Sequence, residues 1–180
     1  MLKNLSIILG GARSGKSGFA ERLIVADGRA RAYVATAQAF DAEMKLRIAD
    51  HRADRGQDWE TIEEPLALVG AMQGLEQRGF NGIILIDCLT LWLSNLLLAE
   101  QDLEENTSAL LRYLAGATCP VVCVSNEVGM GLVPDNKLGR RFRDAQGRLN
   151  QQIAAQADLA VFVAAGLPLV LKGTLPEKFL

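Results

Sequence analysis

The octapeptide GGARSGKS at residues 10–17 constrains the fold of this chain more than any other sequence feature. It follows the apolar run LSIIL, precedes a helical pattern, and matches G-x-x-x-x-G-K-[ST]. Gly10 and Gly15 permit backbone conformations in which successive amides point at phosphate oxygens. Lys16 can then reach the β- and γ-phosphates, while Ser17 offers a hydroxyl to Mg²⁺ at the positive end of the helix. The pattern therefore predicts a strand, a phosphate-binding loop and a helix, the opening unit of a P-loop nucleotide-binding fold.

Short apolar runs alternate with longer helical patterns along the rest of the chain. The runs show no alternation of apolar and polar residues, so we expect a mostly parallel sheet covered by helices on both faces. A glycine-containing turn between the last two runs predicts an antiparallel hairpin at the C-terminal edge. No repeat or linker interrupts the pattern, which predicts a single α/β domain over residues 1–180. The runs are LSIIL (5–9), AYVAT (32–36), GIILID (82–87), PVVCVS (120–125) and the terminal pair LAVFVA and LPLVL.

Composition and charge argue against several classes of function. The net charge is −2, whereas a general nucleic-acid-binding protein needs a basic excess. One histidine and three cysteines without a CxxC pair argue against a zinc site and favour reduced thiols in a cytoplasmic protein. No export signal is visible. The apolar stretch at 83–99 is short for a membrane span and contains Asp87 and Asn95, so we expect a buried strand followed by a helix.

The carboxylate at the end of the run GIILID is the first candidate catalytic group outside the phosphate loop. P-loop proteins place an acid near Mg²⁺ at the end of an apolar strand, and Asp87 stands at that position. Aspartate is also a favoured N-cap residue, so Asp87 could instead cap the helix that follows. The strand-end position favours a role in binding magnesium or substrate.

Other strings distinguish between two ordinary classes of P-loop protein. A GTPase switch needs a guanine-reading NKxD, but the nearest string is NKLG at 136–139, and the DxxG at 144–147 lies inside a helical pattern. A small-molecule kinase with an arginine-rich lid stays open, because RFRDAQGR fits either a lid or a solvated helix face.

The only histidine of the chain lies in a predicted helix over residues 41–55. At about 100° per residue, His51 shares a face with apolar residues and has Arg47 and Arg55 one turn away on either side. Gly56 is well placed to end this helix. Two guanidinium groups disfavour the imidazolium and can bind phosphate oxygens, which makes a neutral nucleophilic imidazole one interpretation. A half-buried structural histidine is the other, and the spacing alone does not decide between them.

Six strings occur in order along the chain: GGARSGKS, YVATAQ, DAEMKLRIADHRADRGQDWETIEEP, LIDCLTLWLSNLL, VSNEVGMGLVP and GRRFRDAQGRLNQQIAAQAD. Together they resemble the bifunctional adenosylcobinamide kinase / adenosylcobinamide-phosphate guanylyltransferase family of cobalamin biosynthesis. The resemblance runs from residue 5 to about residue 173. NEVGMGLVP and the histidine segment are more specific to that family than the phosphate loop.

The resemblance implies two reactions and a fold. In the first reaction, ATP or GTP phosphorylates the aminopropanol hydroxyl of adenosylcobinamide. In the second, GTP transfers GMP to that phosphate through a covalent GMP–histidine intermediate on His51, which releases pyrophosphate and gives adenosylcobinamide-GDP. The implied fold is a RecA-like P-loop sheet with an antiparallel edge. The implied assembly is a homotrimer, in which the apolar helix near residues 89–98 supplies core or interface surface.

The resemblance also implies a set of site residues. Lys16, Asp87 and His51 are the catalytic candidates, and Mg²⁺ is held with the nucleotide through Ser17, with Asp87 as a second candidate ligand and no structural metal. Two other functions stay open: a single-activity P-loop kinase with a structural His51, and a non-enzymatic nucleotide-switched module. The implied nucleotide contacts are Gly10, Gly11, Ala12, Arg13, Ser14, Gly15, Lys16, Ser17, Ala35, Thr36, Ala37, Arg52, Ala53, Asp54, Arg55, Glu63 and Asp87.

Overall fold

The computed structural model describes residues 1–38, 56 and 58–179. Seven strands and five α-helices follow one another over these residues, and a 3₁₀ turn at Glu177–Phe179 ends them. The strands are β1 (Leu5–Gly10), β2 (Arg31–Ala35), β3 (Glu60–Glu63), β4 (Ile83–Asp87), β5 (Val121–Asn126), β6 (Leu159–Ala164) and β7 (Leu167–Lys172). The helices are α1 (Lys16–Asp27), α2 (Leu68–Gln77), α3 (Leu89–Leu98), α4 (Leu103–Gly116) and α5 (Lys137–Gln156). The helix predicted over residues 41–55 lies outside the described residues.

The strands of the described residues form one seven-stranded sheet in the order β3-β2-β4-β5-β1-β6-β7. Neighbours pair in parallel from β3 to β6, and β7 alone runs antiparallel, against β6. The predicted parallel sheet and C-terminal hairpin are therefore confirmed. The order also places β5 between β1 and β4, so the strand that follows α4 separates the phosphate loop from the strand that ends in Asp87.

Two apolar layers, one on each face of the sheet, hold the helices in place. Helices α2, α3, α4 and α5 pack on one face around Trp92, Leu110 and Leu149, each at most 1 % exposed. On the other face α1 packs through Phe19 and Leu23, together with the C-terminal segment. Because both faces are covered, the central strands are apolar at successive positions, as in the fully buried LSIILG of β1.

Strand β3 is the element that the sequence pattern did not predict. It is a four-residue edge strand, ETIE, whose two glutamates are exposed and whose central residues are half-buried. A short edge strand carrying charges gives little apolar signal. The sequence pattern therefore predicts only a loop and a helix in the segment before β4.

The apolar stretch at 83–99 folds as expected into a buried strand and a helix. It forms β4 and α3, and α3 contributes Leu89, Trp92, Leu93 and Leu96 to the core. This face of α3 therefore belongs to the protein core. Core and interface surface were the two roles expected for this helix. None of the helices within the described ranges has the length and apolar character needed to cross a membrane.

Candidate functional site

The carboxyl ends of the parallel strands meet along one edge of the sheet. Ligands of open α/β sheets bind outside this edge. Here the edge carries Gly10 of β1, Asn126 of β5, Asp87 of β4, Ala35 of β2 and Glu63 of β3, in the spatial order of the strands. The sequence-predicted residues that the structure describes thus lie along a single edge.

The phosphate loop connects β1 to α1 in the predicted manner. Gly15 adopts a left-handed conformation with φ of 92° immediately before α1, and Arg13 has a φ of 56°. Neighbouring elements hold the loop: the amide of Gly166 donates to the Ser14 carbonyl over 2.8 Å, and the amide of Glu127 donates to the Gly10 carbonyl over 3.1 Å. The turn between β6 and β7 and the end of β5 therefore fix the loop from two sides.

Lys16 is a buried cation at the start of α1. Lys16 is 9 % exposed, and its Nζ donates a hydrogen bond to the Gly11 carbonyl over 3.1 Å. Burial lowers the pKa of Lys16, and the nearby Cys88 and Asp87 partly oppose that shift. A poorly hydrated ammonium group with one carbonyl partner is well suited to exchange that partner for a phosphate oxygen.

Asp87 ends β4 half-buried, and its Oδ2 accepts a hydrogen bond from the Tyr33 hydroxyl over 3.0 Å. The alternative role as a helix cap is not supported. The residue at the N-cap position of α3 is Cys88, and no side chain caps that helix. The Asp87 carboxylate is therefore left at the edge of the sheet, on the side of Lys16.

The turn after β2 contains the predicted contacts Ala35, Thr36 and Ala37. Thr36 is fully buried, and its hydroxyl donates to the Cys88 carbonyl over 2.7 Å while accepting from the Cys88 amide over 2.8 Å. Its side chain thus joins the ends of β2 and β4 and presents no hydroxyl at the surface. Glu63 is exposed at the end of β3, beside Ala35 in the strand pairing.

The end of β5 adds residues to the edge to which no local sequence pattern assigns a role. Asn126 pairs with Gly10, and its Oδ1 is buried without a hydrogen-bond partner among the residues described. Glu127 follows, and its carboxylate accepts from the Gly129 amide over 2.5 Å. Both belong to the string NEVGMGLVP. The position of this string between the loop and Asp87 depends on strand order, which is not a local property of the sequence.

The oxygen donors at this edge suit Mg²⁺. The Ser17 hydroxyl lies in the first turn of α1 and the Asp87 carboxylate ends β4, and both residues are half-buried. Magnesium prefers such hard ligands and completes its shell with substrate phosphates. Within the described ranges no three His, Cys, Asp or Glu side chains come together as a metal group.

Several predicted residues are not brought together. At a strand spacing of about 4.8 Å, the end of β2 lies roughly 14 Å from β1 across β5 and β4, and β3 lies one spacing further. Ala35 to Ala37 and Glu63 therefore lie farther from the phosphate loop along the edge than Asp87 does. His51 and its neighbours Arg52, Ala53, Asp54 and Arg55 lie outside the described residues.

Comparison with known proteins agrees with the resemblance seen in the sequence. The family model described as cobinamide kinase / cobinamide phosphate guanyltransferase matches residues 6–171. A bifunctional adenosylcobalamin biosynthesis protein CobP from Pseudomonas aeruginosa is 50 % identical over 169 residues, which cover 93 % of this chain and 96 % of that protein. A bifunctional adenosylcobalamin biosynthesis protein CobU from Escherichia coli is 39 % identical over 181 residues, which cover 92 % of this chain and 98 % of that protein.

A solved structure supports the fold alone. An ATPase from the type III secretion system of pathogenic bacteria superposes with a TM-score of 0.53 at 10 % sequence identity. The superposition covers 94 % of this chain and 57 % of the ATPase chain, so this chain spans a little over half of that protein. The likeness supports the P-loop fold, a mostly parallel sheet covered by helices.

Proposed function

Because the chain belongs to the cobinamide kinase / cobinamide phosphate guanyltransferase family, we propose that it is a transferase that carries out both reactions of cobalamin biosynthesis. It phosphorylates adenosylcobinamide with ATP or GTP, and then transfers GMP from GTP to the new phosphate. The observation that carries the proposal is the buried ammonium of Lys16 in a phosphate loop, close enough to the Asp87 carboxylate to interact with it electrostatically.

In the kinase reaction the residues of the loop stabilise charge on the transferring phosphoryl group. The loop amides and Lys16 bind the triphosphate, and this electrostatic contribution dominates most phosphoryl transfers. Ser17 would hold a Mg²⁺ ion that enters with the nucleotide, and that ion would neutralise charge on the phosphate oxygens. Asp87 would bind that ion, or it would accept the proton of the aminopropanol hydroxyl. The oxygen of that hydroxyl forms the new bond to the γ-phosphorus, while the bond between the γ-phosphorus and the β-phosphate oxygen breaks.

Tyr33 supports this role of Asp87 through its hydroxyl hydrogen bond. Tyr33→Phe removes that bond and leaves the ring packed against Trp59, with which it makes an edge contact at 6.0 Å. A hydrogen bond to a charged group is worth about 1.5–3 kcal/mol, so we expect kcat of the kinase reaction to fall roughly tenfold or more. Steady-state kinetics with thermal unfolding as the control check this. An unchanged kcat would show that the orientation set by Tyr33 is not needed.

In the guanylyl transfer His51 is the proposed nucleophile. Its neutral imidazole attacks the α-phosphorus of GTP, a nitrogen–phosphorus bond forms, and pyrophosphate leaves. The phosphate of adenosylcobinamide phosphate then attacks the same phosphorus and releases the histidine. This assignment rests on the sequence, where Arg47 and Arg55 flank His51 at helical spacing.

A homotrimer is the proposed assembly, and the surface of β7 supports an association of copies. Every residue of LPLVLK is exposed, with Leu167 at 72 % and Leu169 at 60 %. An apolar edge strand exposed to water favours pairing with another chain. Sedimentation analysis should find a trimer that Leu169→Lys dissociates and that Val25→Lys, at an exposed apolar site on α1, leaves intact. A wild-type protein that sediments as a monomer would contradict this assembly. We also propose that the protein is cytoplasmic.

Labelling with GTP radioactive at the α-phosphate tests the function. We expect a protein-bound label that is acid-labile, alkali-stable and absent from His51→Ala. Lys16→Ala should abolish both labelling and kinase activity. Kinase activity without any label in the wild type would leave the single-activity kinase with a structural His51. Nucleotide binding without either reaction would leave the nucleotide-switched module.

A further inference from the structure

Asn126, the last residue of β5, has a firmly held backbone and a carboxamide oxygen without a partner. Its amide donates to Thr90 Oγ1 over 2.7 Å, and its carbonyl accepts from Asn150 Nδ2 over 3.1 Å. Its side-chain oxygen Oδ1 is buried and has no hydrogen-bond partner within the described residues. A buried polar atom without a partner costs stability, so the stability of the fold does not explain an asparagine here.

A buried polar cluster on α5 fixes the end of β5. Gln146 Nε2 donates to Ser125 Oγ over 2.9 Å and to Asn150 Oδ1 over 3.0 Å. Ser125 Oγ donates to the same Asn150 oxygen over 2.7 Å. All three side chains belong to residues that are at most 5 % exposed. Because Asn150 also bonds the Asn126 carbonyl, the cluster holds Asn126 in place before a nucleotide binds.

Strand alternation places the Asn126 side chain on the face of the sheet that carries α1. Val124 lies two residues before Asn126, and Leu85 lies two residues before Asp87; both belong to the apolar layer that packs with α1. Successive side chains of a strand point to opposite faces, so the side chains of Asn126 and Asp87 lie on this same face. Lys16 begins α1 on this face and interacts electrostatically with Asp87.

The strand order puts Asn126 between the phosphate loop and Asp87. Strand β5 pairs with β1, where Asn126 lies opposite Gly10, and with β4, where Asp87 lies opposite Val124. At a spacing of about 4.8 Å, β5 lies one strand from each, and β1 and β4 lie roughly 10 Å apart. The lysine of a phosphate loop reaches the β- and γ-phosphates. A phosphoryl group that passes from the loop to an acceptor beside Asp87 therefore passes the end of β5.

We propose that Asn126 is a catalytic residue of the kinase reaction, whose carboxamide contacts the γ-phosphoryl group of the bound triphosphate. An amide offers both a donor and an acceptor and carries no charge. Its Nδ2 donates to a phosphoryl oxygen, and its Oδ1 accepts from the attacking hydroxyl. Asn126 takes no proton and forms no covalent bond in this role. The inference rests on the proposed function, because it adds a residue to the first of its two reactions.

Asn126→Ala tests the contact by removing the carboxamide. We expect kcat of the kinase reaction to fall about 100-fold or more, as when a donor to developing charge is deleted. The Kd for Mg·GTP should rise roughly tenfold, because a hydrogen bond to a charged group is lost. The Kd for Mg·GDP, which lacks the γ-phosphate, should change by less than about threefold. Both Kd values are measured by calorimetry in a His51→Ala background, so that the proposed guanylyl transfer does not consume GTP.

Two further variants separate a contact with phosphate from a structural role. Aspartate keeps the shape of asparagine and replaces the N–H donor with an anionic oxygen, so Asn126→Asp should have a kinase kcat no higher than that of Asn126→Ala. Val122→Ala shortens a buried side chain of β5, four residues before Asn126 and 1 % exposed. It should lower Tm and leave both the kinase kcat and the ratio of the two Kd values within about threefold of wild type.

The outcomes also separate this inference from the function on which it rests. Equal rises in the two Kd values, an unchanged kcat in Asn126→Ala, or a kcat restored by aspartate would overturn the inference. The same pattern of losses in Val122→Ala would overturn it as well. A wild-type protein that does not phosphorylate adenosylcobinamide would refute the kinase function, while the two Kd values would still decide whether Asn126 contacts the γ-phosphate. If Asn126→Ala does not fold, Asn126→Asp provides the same comparison of Kd values.

Discussion

The first glycine of the phosphate loop offers a sharp test, because the structure predicts that its neighbour will behave differently. A Cβ added to Gly10 would lie 2.5 Å from the Val163 carbonyl oxygen and 2.5 Å from Ser14 Oγ. Distances under 3.0 Å are essentially never seen for a Cβ, so β1 and β6 must separate by about half an ångström. A Cβ on Gly11 meets nothing within 4 Å.

Gly10→Ala should therefore lower both stability and nucleotide binding, and Gly11→Ala should leave stability unchanged. Overpacking of this kind costs about 1–3 kcal/mol, which for a chain of this length corresponds to a fall in Tm of roughly 3 to 10 °C. The shift also moves the Gly10 carbonyl that accepts from Glu127, so the loop amides lose their alignment. We expect the Kd for GTP to rise at least about tenfold.

Thermal unfolding without nucleotide and calorimetric titration with Mg·GTP measure the two effects separately. The reasoning requires the two alanine variants to differ, because they add the same methyl group to adjacent residues. Equal changes in Tm in Gly10→Ala and Gly11→Ala would refute it. So would a Gly10→Ala protein with the wild-type Tm and the wild-type Kd.

Two further predictions follow from buried ionisable groups. Burial raises the pKa of Cys88 to about 11 and that of Cys123 to about 12, so native protein at pH 8 should react with a thiol reagent far more slowly than urea-unfolded protein. Since these thiols ionise only on unfolding as the pH passes 9, the free energy of unfolding should fall between pH 9 and 11; a constant value would contradict this. The hydrogen bond from Arg29 lowers the pKa of Asp27. Asp27→Asn should therefore cost about 1–3 kcal/mol in the free energy of unfolding at pH 7. The difference between wild type and Asp27→Asn in urea unfolding should shrink below pH 4, because Asp27 then becomes protonated and loses its charge.

The sequence predicts those parts of the fold and site that depend on neighbouring residues. GGARSGKS between an apolar run and a helical pattern specifies β1, the loop and α1, which the structure has at Leu5–Gly10 and Lys16–Asp27. The hairpin of β6 and β7 was also predictable, because the glycine turn joins adjacent runs. Asp87 was identified from its position at the end of an apolar strand.

The parts that depend on distant residues were not predictable. Tyr33 is 54 positions from Asp87 and contacts it only because β2 pairs with β4. Asn126 reaches the site only because β5 inserts between β1 and β4. Nothing local specifies either pairing, since any of the buried apolar strands could lie beside another.

The edge of the sheet has two hydrogen-bonded supports: one holds the phosphate loop through the Gly166 and Glu127 amides, and the other joins Asn95 to the Thr36 and Pro65 carbonyls. The sheet order further predicts that these two supports act independently. Gly10 lies in β1, and the bonds of Asn95 lie at the ends of β2 and β3, roughly 14 Å or more away at the usual strand spacing. Substitutions separated by more than about 7–10 Å without shared partners add in their effect on stability to within about 0.5 kcal/mol. The double variant Gly10→Ala/Asn95→Leu should therefore lose the sum of the two single losses in the free energy of unfolding, measured in urea. A coupling well above that limit would show that β4 and β5 transmit strain between the two supports, and that the edge is one unit rather than two.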